Sequence, residues 1–432
     1  MTNARKKYTF WVYVVVHMLI LSRLCVGSLG VISTSKHITN DVLQFDIIYK
    51  EPKTSKKRTF RYIDKYTQAP NHIIQQDFVR RGINATTSQK IAILQQLHKQ
   101  GYTAEQALNC VLPKVFETID KVERALYARP VDSKVKFVPN SQNMFIIKPQ
   151  VHGRQLDRDL LIRDIYQALL DSQLNCNAYV QELYPNIDQR YNKQATYYRS
   201  GYSTDYSSSS DNRKHNIALS LSKINGTVIG PGQTFSFNKV VGARTIKTGY
   251  RESKIILHGK FVEGVGGGVC QVSTTLYNAA LRADMCIVSV RNHSLPVGYV
   301  PPSLDAMVNS NTTDLKFENT TTHPIYIRAY SSNNRAIIEF YGLPMLYRIE
   351  PESEIVDSIP PPILDEIIVD NDYKYMPPDT PSGQTVQVNY SKGGLSSRAY
   401  LCYYDHYGNL VSRRHIRTDK YKAQQGLIAV AP

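Results

Sequence analysis

A chain of 432 residues is too long for one ordinary hydrophobic core, which points to two or three domains with linkers. Hydrophobic residues at 42% and charged residues at 20% suit globular domains and exclude a largely disordered chain. The formal net charge of +16 favours anionic partners such as nucleic acid, acidic lipid or an acidic wall polymer. No zinc finger, RNP motif or tight basic run accompanies that charge, so nucleic acid is not expected.

The N-terminus carries Arg5, Lys6 and Lys7, then a short apolar stretch from Tyr8 to Ser22. That is the layout of an export signal, and residues 1–27 are expected to be a signal peptide or a signal anchor. Small residues at Cys25 and Gly27 permit cleavage before Ser28, whereas an uncleaved segment places Arg23 at the outer face. Residues 28–80, with the charged run Lys53 to Arg58, read as a basic tether or the edge of the next domain.

Residues 81–185 form an expected α+β module. Ile91, Leu94, Leu97, Ala107, Leu108, Val115, Ile119, Val122 and Leu126 recur at helical spacing, with Gly101 as a break. A hairpin turns around Pro139 and Asn140, and an amphipathic helix spans Leu156 to Leu170. A polar, Tyr- and Ser-rich linker runs to Asp211, and residues 200–345 follow as a central α+β domain. Its helices are Asn212 to Ile224 and Cys270 to Ala283; its strands include Ile255 to Leu257, Cys286 to Val290, Val297 to Val300, Ile325 to Ala329 and Ala336 to Tyr341. Residues 346–365, with Pro360, Pro361 and Pro362, read as a stiff Pro-rich linker. Residues 366–432 alternate as a small all-β module. The expected fold class is therefore α+β multidomain: an N-terminal α+β module, a central α+β domain whose helix begins near a cysteine and packs on strands, and a C-terminal all-β module.

The six cysteines, Cys25, Cys110, Cys176, Cys270, Cys286 and Cys402, show no CxxC pairs. Neither a zinc site nor a dense disulfide framework is expected, and the histidines lack paired ligand spacing, so no metal and no cofactor are expected. Cysteines this scattered usually act as buried small hydrophobes, and Cys286, in an apolar strand, is read that way.

Cys270 has a different setting. Gly266, Gly267 and Gly268 immediately precede it at a helix start, where they let the backbone turn sharply and let a ligand approach. Free N–H groups and the positive dipole end there favour a thiolate, which is the nucleophilic form, and can also stabilise an oxyanion. His293 falls between two strand-like runs, where it can act as the base, and Asp305 can orient it, as can Asn292 or a backbone carbonyl. The same residues also suit other roles: a buried structural thiol, a turn histidine, a Cys270–Cys286 disulfide, or a phosphate cradle that lacks the Lys-Ser/Thr of a P-loop.

The ordered run of Tyr202, Asn212–Arg213, Pro231 through Asn238, Val241 through Thr245, Gly266 through Asn278, His293 through Pro302, Asp305 and His323–Pro324 resembles the VanW-like domain of bacterial surface proteins. Pro130 through Phe137 with Gly153 through Asp157 resembles a peptidoglycan-binding module often placed before such domains, and the tail resembles a diverged G5 module associated with wall glycans. The resemblance implies cell-wall work. Some members resemble L,D-transpeptidases in role, so Cys270, His293 and Asp305 become catalytic candidates. Gly267, Gly268, Gln271 and Ser273 become candidates for substrate or oxyanion binding. Arg244 is a candidate for a substrate carboxylate, with a structural salt bridge as its alternative.

The function so implied is peptidoglycan cross-linking by cysteine acyl transfer, forming 3→3 links. The alternatives are a non-catalytic peptidoglycan-binding surface protein and a cysteine peptidase or amidase acting on stem peptides. The expected partners are stem peptides, wall glycans and, through an uncleaved N-terminus, the membrane. The expected location is extracytoplasmic, at the wall or the outer membrane face of a bacterium.

Overall fold

The structure is a computed structural model that describes residues 42–52, 54, 56–65, 87–257, 260–310 and 312–432. The expected signal segment, with Cys25, and the first part of the expected tether lie outside the described residues. No helix among the described residues is long and apolar enough to cross a membrane.

The chain divides into two compact units, and each is interrupted in sequence. The first comprises the residues before 130 together with Gly153–Leu183. Strands Val42–Lys50 and Lys57–Lys65 pair antiparallel, and Asn175–Asn177 joins the first in parallel. These strands occupy part of the segment expected as a tether. Leu43, Phe45, Ile47 and Tyr49 alternate along one buried face, a period-two pattern that makes the segment a sheet of the unit. Helices Thr87–Lys99, Ala104–Val111 and Val115–Leu126 bury all nine of the apolar positions that helical spacing marks. Gly101 separates the first two with a φ of 83°. Thr103 then opens the second with a reciprocal capping box to Gln106. Helix Arg158–Leu170, capped by Asp157, completes this core with Leu161, Ile162, Ile165 and Leu169.

The second unit comprises Pro130–His152 and Tyr184–Pro432. The hairpin Lys134–Phe137 with Phe145–Lys148 belongs here, not to the module expected over 81–185. The cause is aromatic: Phe137 and Phe145 stack on each other at 5.1 Å and pack on Tyr326.

The elements that hold the site are, in chain order, strand β1 (Tyr197–Asp205), helix α1 (Asp211–Ile224), strand β2 (Thr227–Ile229), helix α2 (Val269–Arg282), and strands β3 (Ile325–Ser332), β4 (Arg335–Gly342), β5 (Arg348–Ile359), β6 (Gly394–Tyr404) and β7 (Leu410–Tyr421). One antiparallel sheet has the order β1-β4-β3-β2, and helix α2 packs on its β1 and β4 strands. A second antiparallel sheet has the order β5-β6-β7. The last strands, Glu366–Val369, Thr385–Asn389 and Leu427–Val430, form a small separate sheet.

Four expectations change here. The polar stretch expected as a linker before Asp211 contains strand β1, whose inward residues Ser200 and Thr204 are buried but polar. The expected Pro-rich linker over 346–365 is mostly strand β5, paired along its length with β6. Val297 to Val300 is a turn and not a strand. Cys286 lies on a strand as expected but is exposed, so it is not a core residue. The C-terminal segment is all-β as expected.

Candidate active site

Helix α2 buries 12 of its 14 residues, so it is sheathed by protein nearly all round. Five of those residues are polar, and burial without partners would cost each of them roughly 1–3 kcal/mol. Each is bonded, and the bonds fall on two sides. Gln271 Nε2 donates to the Asp205 carbonyl (2.7 Å) and Thr275 pairs with Thr204 (2.8 Å), which ties the helix to β1. On the other side Ser273 Oγ donates to the Ala306 carbonyl (2.6 Å), Thr274 Oγ1 accepts from the Ala306 amide (3.0 Å), and Asn278 Nδ2 donates to the Leu304 carbonyl (2.7 Å). This second row clamps the backbone on both sides of Asp305.

Cys270 occupies the second position of α2, as the glycine run predicts. Gly266 and Gly268 take φ values of 90° and 104°, a region that side-chain-bearing residues enter at a cost. Gly267 has no room for a side chain, because a Cβ there would lie 2.7 Å from the Lys254 carbonyl oxygen. Its own carbonyl accepts from buried Asn216 of α1 at 3.0 Å.

The structure brings Cys270, His293 and Asp305 together. His293 is 4% exposed and Asp305 fully buried. Asp305 Oδ2 accepts from the His293 amide and pairs with His293 Nδ1, both at 2.6 Å. The other ring nitrogen is not used by Asp305, and His293 and Cys270 act on each other's ionisation. The thiol is also 3.3 Å from the Val308 carbonyl oxygen. Burial pushes the Cys270 thiol up, but the histidine more than reverses this and holds it below the usual thiol value. Burial likewise opposes charge on His293, yet its bonds to Asp305 and Cys270 raise it to about 9. Burial acts upward on Asp305 too, and the bonds from His293 and Tyr421 win and hold it low. The three titrate as a coupled set, in which the imidazole favours ionisation of the Cys270 thiol and the Asp305 carboxylate favours charge on the imidazole. The cysteines among the described residues are free, so no Cys270–Cys286 disulfide removes the thiol.

The remaining expected residues separate. Ser273 and the Gln271 side chain hold the scaffold, as above, and the Gln271 amide donates to the Gly268 carbonyl (3.0 Å). Neither is placed for substrate or oxyanion binding. Among the described residues, the amides of Gly267, Gly268 and Cys270 have no protein acceptor and remain available. Arg244 lies beside Gly266, its guanidinium bonded to Asn238 Oδ1 (2.5 Å) and Ser310 Oγ (3.4 Å), with a buried Nε that lacks a partner. Among the described residues it has no carboxylate within ion-pair distance, and Asp314 acts on it only as a more distant charge.

Two further residues stand at the site that sequence reading did not single out. Arg213 of α1 packs against Gly268, bonds Ser209 Oγ (2.6 Å), and also lacks an acid partner among the described residues. Burial depresses the pKa of Arg213 and Arg244, and the Cys270 charge acts back on both. A cation in the first turn of a helix opposes the helix dipole, and that misfit was the available signal for Arg213. Tyr299 is the other: burial first, and then the Cys270 charge, keeps its hydroxyl protonated. No group of three or more metal-ligating side chains occurs among the described residues.

A family profile described as "VanW like protein" matches residues 212–341, which cover Arg213, Arg244, Cys270, His293 and Asp305. Two relatives share this region. The uncharacterized protein YoaR of Bacillus subtilis is 44% identical over 37% of this chain and 53% of its own length. The vancomycin B-type resistance protein VanW of Enterococcus faecalis is 31% identical over 27% of this chain and 45% of its own length. The chain thus spans about half the length of these curated relatives. Two solved structures of G5 domains also align, HP0197-G5 at 15% identity and the IgA1 protease G5 domain at 18%. They cover 19% and 20% of this chain and 97% and 88% of their own, with TM-scores of 0.10 and 0.12.

Proposed function

We propose that this chain, whose residues 212–341 are a VanW-like domain, is a cell-wall acyltransferase of the L,D-transpeptidase type that forms 3→3 peptidoglycan cross-links. The observation that carries the reading is the cluster of Cys270, His293 and Asp305 at the start of a buried helix, with His293 Nδ1 on Asp305 Oδ2 and the imidazole acting on the Cys270 thiol. Similarity to a vancomycin resistance protein supports a cell-wall-related function.

The Cys270 thiolate attacks the carbonyl at the L-centre of a diaminopimelate–D-alanine bond. The oxyanion that develops is met by the available Gly268 and Cys270 amides at the helix start. His293, already protonated, gives its proton to the departing amine, the C–N bond breaks, and D-alanine leaves. The thioester on Cys270 is then attacked by the side-chain amine of a second stem peptide. His293 takes the amine's proton, the new amide forms, and the thiolate returns. Arg213 and Arg244, which have no ion-paired acid among the described residues, offer charge to substrate carboxylates near the sulfur. The protein works outside the cytosol, on stem peptides and wall glycans, with the membrane as a further partner through an uncleaved N-terminus.

The test is incubation of the purified protein with a disaccharide-tetrapeptide, followed by mass spectrometry, alongside Cys270→Ala. Cross-linked dimer from the wild type alone is the expected result. Monomer that loses D-alanine without dimer replaces transfer by hydrolysis. Neither product nor any adduct at Cys270 leaves a binding protein and sinks both enzymatic readings.

A further inference from the structure

We propose that Tyr421, at the end of β7, is a positioning residue of the Cys270–His293–Asp305 site, so that the C-terminal sheet is part of the reactive centre and not an appended module. The inference rests on reading Cys270 as the nucleophile.

Asp305 must hold the His293 ring at one angle while its carboxylate lies out of reach of water. One oxygen, Oδ2, receives both His293 bonds. The other, Oδ1, receives the Tyr421 hydroxyl at 2.5 Å across 116 positions of sequence. Tyr421 is itself fully buried, and its oxygen accepts from the Ser303 amide at 2.6 Å. The hydroxyl therefore has one acceptor and one donor and cannot rotate freely between partners. Burial and the Asp305 charge push its pKa far up, so it remains a donor whenever Asp305 is ionised.

The same strand end reaches both flanks of the site. Arg417 Nη1 donates to the Asp305 carbonyl (3.0 Å) while its Nε is held by Asp419 (2.6 Å). Asn292, next to His293, donates to the Lys420 carbonyl (3.1 Å), and the Lys422 amide donates to the Ser294 carbonyl (2.9 Å). From β6, Ser397 pairs with Ser303 Oγ at 2.7 Å. A sheet that served only to bind wall glycans needs none of these bonds. The titratable groups that act on Asp305 are His293 from the same loop, Tyr277 from α2, Tyr299, and Arg417 and Tyr421 from β7.

The experiment is the pH dependence of Cys270 alkylation by iodoacetamide in the full chain. Alkylation needs no wall substrate, so its outcome is independent of whether the enzyme transfers acyl groups. In Tyr421→Phe, Oδ1 loses a donor, Asp305 takes up a proton at higher pH, the imidazolium loses its counter-charge there, the thiol ionises later, and the acid limb of the profile moves upward. The rate at the plateau falls roughly tenfold to a hundredfold, the range of one hydrogen bond to a buried charge. In Tyr421→Phe with Asp305→Asn, the loss is no greater than in Asp305→Asn alone. If the Tyr421→Phe profile overlays the wild type while Asp305→Asn shifts it, the proposal is overturned. If Tyr421→Phe does not fold, a fluorinated tyrosine at position 421 keeps the shape and strengthens the donor. The acid limb must then move downward, and an unmoved limb overturns the proposal equally.

Discussion

Helix Val115–Leu126 in the first unit and helix α2 in the second are nearly equal in length, yet their sequences do different work. The first buries Val115, Ile119, Val122 and Leu126 along one stripe and leaves its other face to solvent. Its neighbours need only be apolar and of the right volume. Helix α2 has no solvent face worth the name, and its buried Gln271, Ser273, Thr274, Thr275 and Asn278 each meet a particular backbone or hydroxyl group. Apolar contact tells a helix where to lie. A directional polar row also fixes its rotation and the loop beside it, and here that loop holds Asp305. The difference teaches that a wholly buried polar helix marks a place where angles matter.

Substitutions can break this contrast, beginning with the largest effect. Cys270→Ala removes the nucleophile and abolishes product and adduct together. His293→Ala leaves a thiol without its base and lowers kcat/KM by about 10²–10⁴. On the proposed acyl-transfer function the wild-type profile is expected to be bell-shaped, rising as the lowered thiol ionises and falling as His293 deprotonates near pH 9. The linkage to stability has a definite sign. Because His293 is raised from 6.5 to about 9 on folding, its contribution is fully present below pH 6.5 and is lost as pH rises through 9. Denaturant titrations at pH 6 and pH 10 should show that loss in the wild type and little of it in His293→Ala.

Ile119→Ala empties part of an apolar stripe and costs about 2–5 kcal/mol, read by hydrogen exchange in that helix. The alkylation profile of Cys270 stays unchanged, because no polar placement depends on Ile119. Ser273→Ala costs less, roughly 1–3 kcal/mol, but leaves the Ala306 carbonyl short of a donor and slows alkylation. A result in which Ile119→Ala slows alkylation more than Ser273→Ala would falsify the distinction between the two helices. Cys286→Ser, on an exposed strand, should stay within about 0.5 kcal/mol of wild type and keep full thiol reactivity at Cys270.

What could be read from sequence follows the same division. The first unit's helices were legible because Leu94, Leu97, Val115 and Ile119 repeat at helical spacing and nothing else competes. Strand β1 was not, because its inward residues Ser200 and Thr204 are polar; they answer a polar helix and not an apolar core. Strand β5 was hidden by Pro351 and the prolines after it, and by a second half exposed on both faces. In the site, Cys270, His293 and Asp305 lie close enough in sequence, and in distinct enough surroundings, to be picked out. Tyr421 was invisible. It ends an ordinary alternating strand, and only the folded chain shows what its hydroxyl meets.

The glycine run before Cys270 carries one more consequence. In a linker, consecutive glycines signal tolerance, since any residue will do. Here Gly266 and Gly268 are set by backbone angle and Gly267 by the Lys254 carbonyl against it, so three neighbours answer to two unrelated demands. A side chain at Gly266 or Gly268 strains the backbone, and one at Gly267 meets the Lys254 carbonyl. Any side chain added at these three positions is therefore expected to displace the start of α2, and with it the sulfur of Cys270.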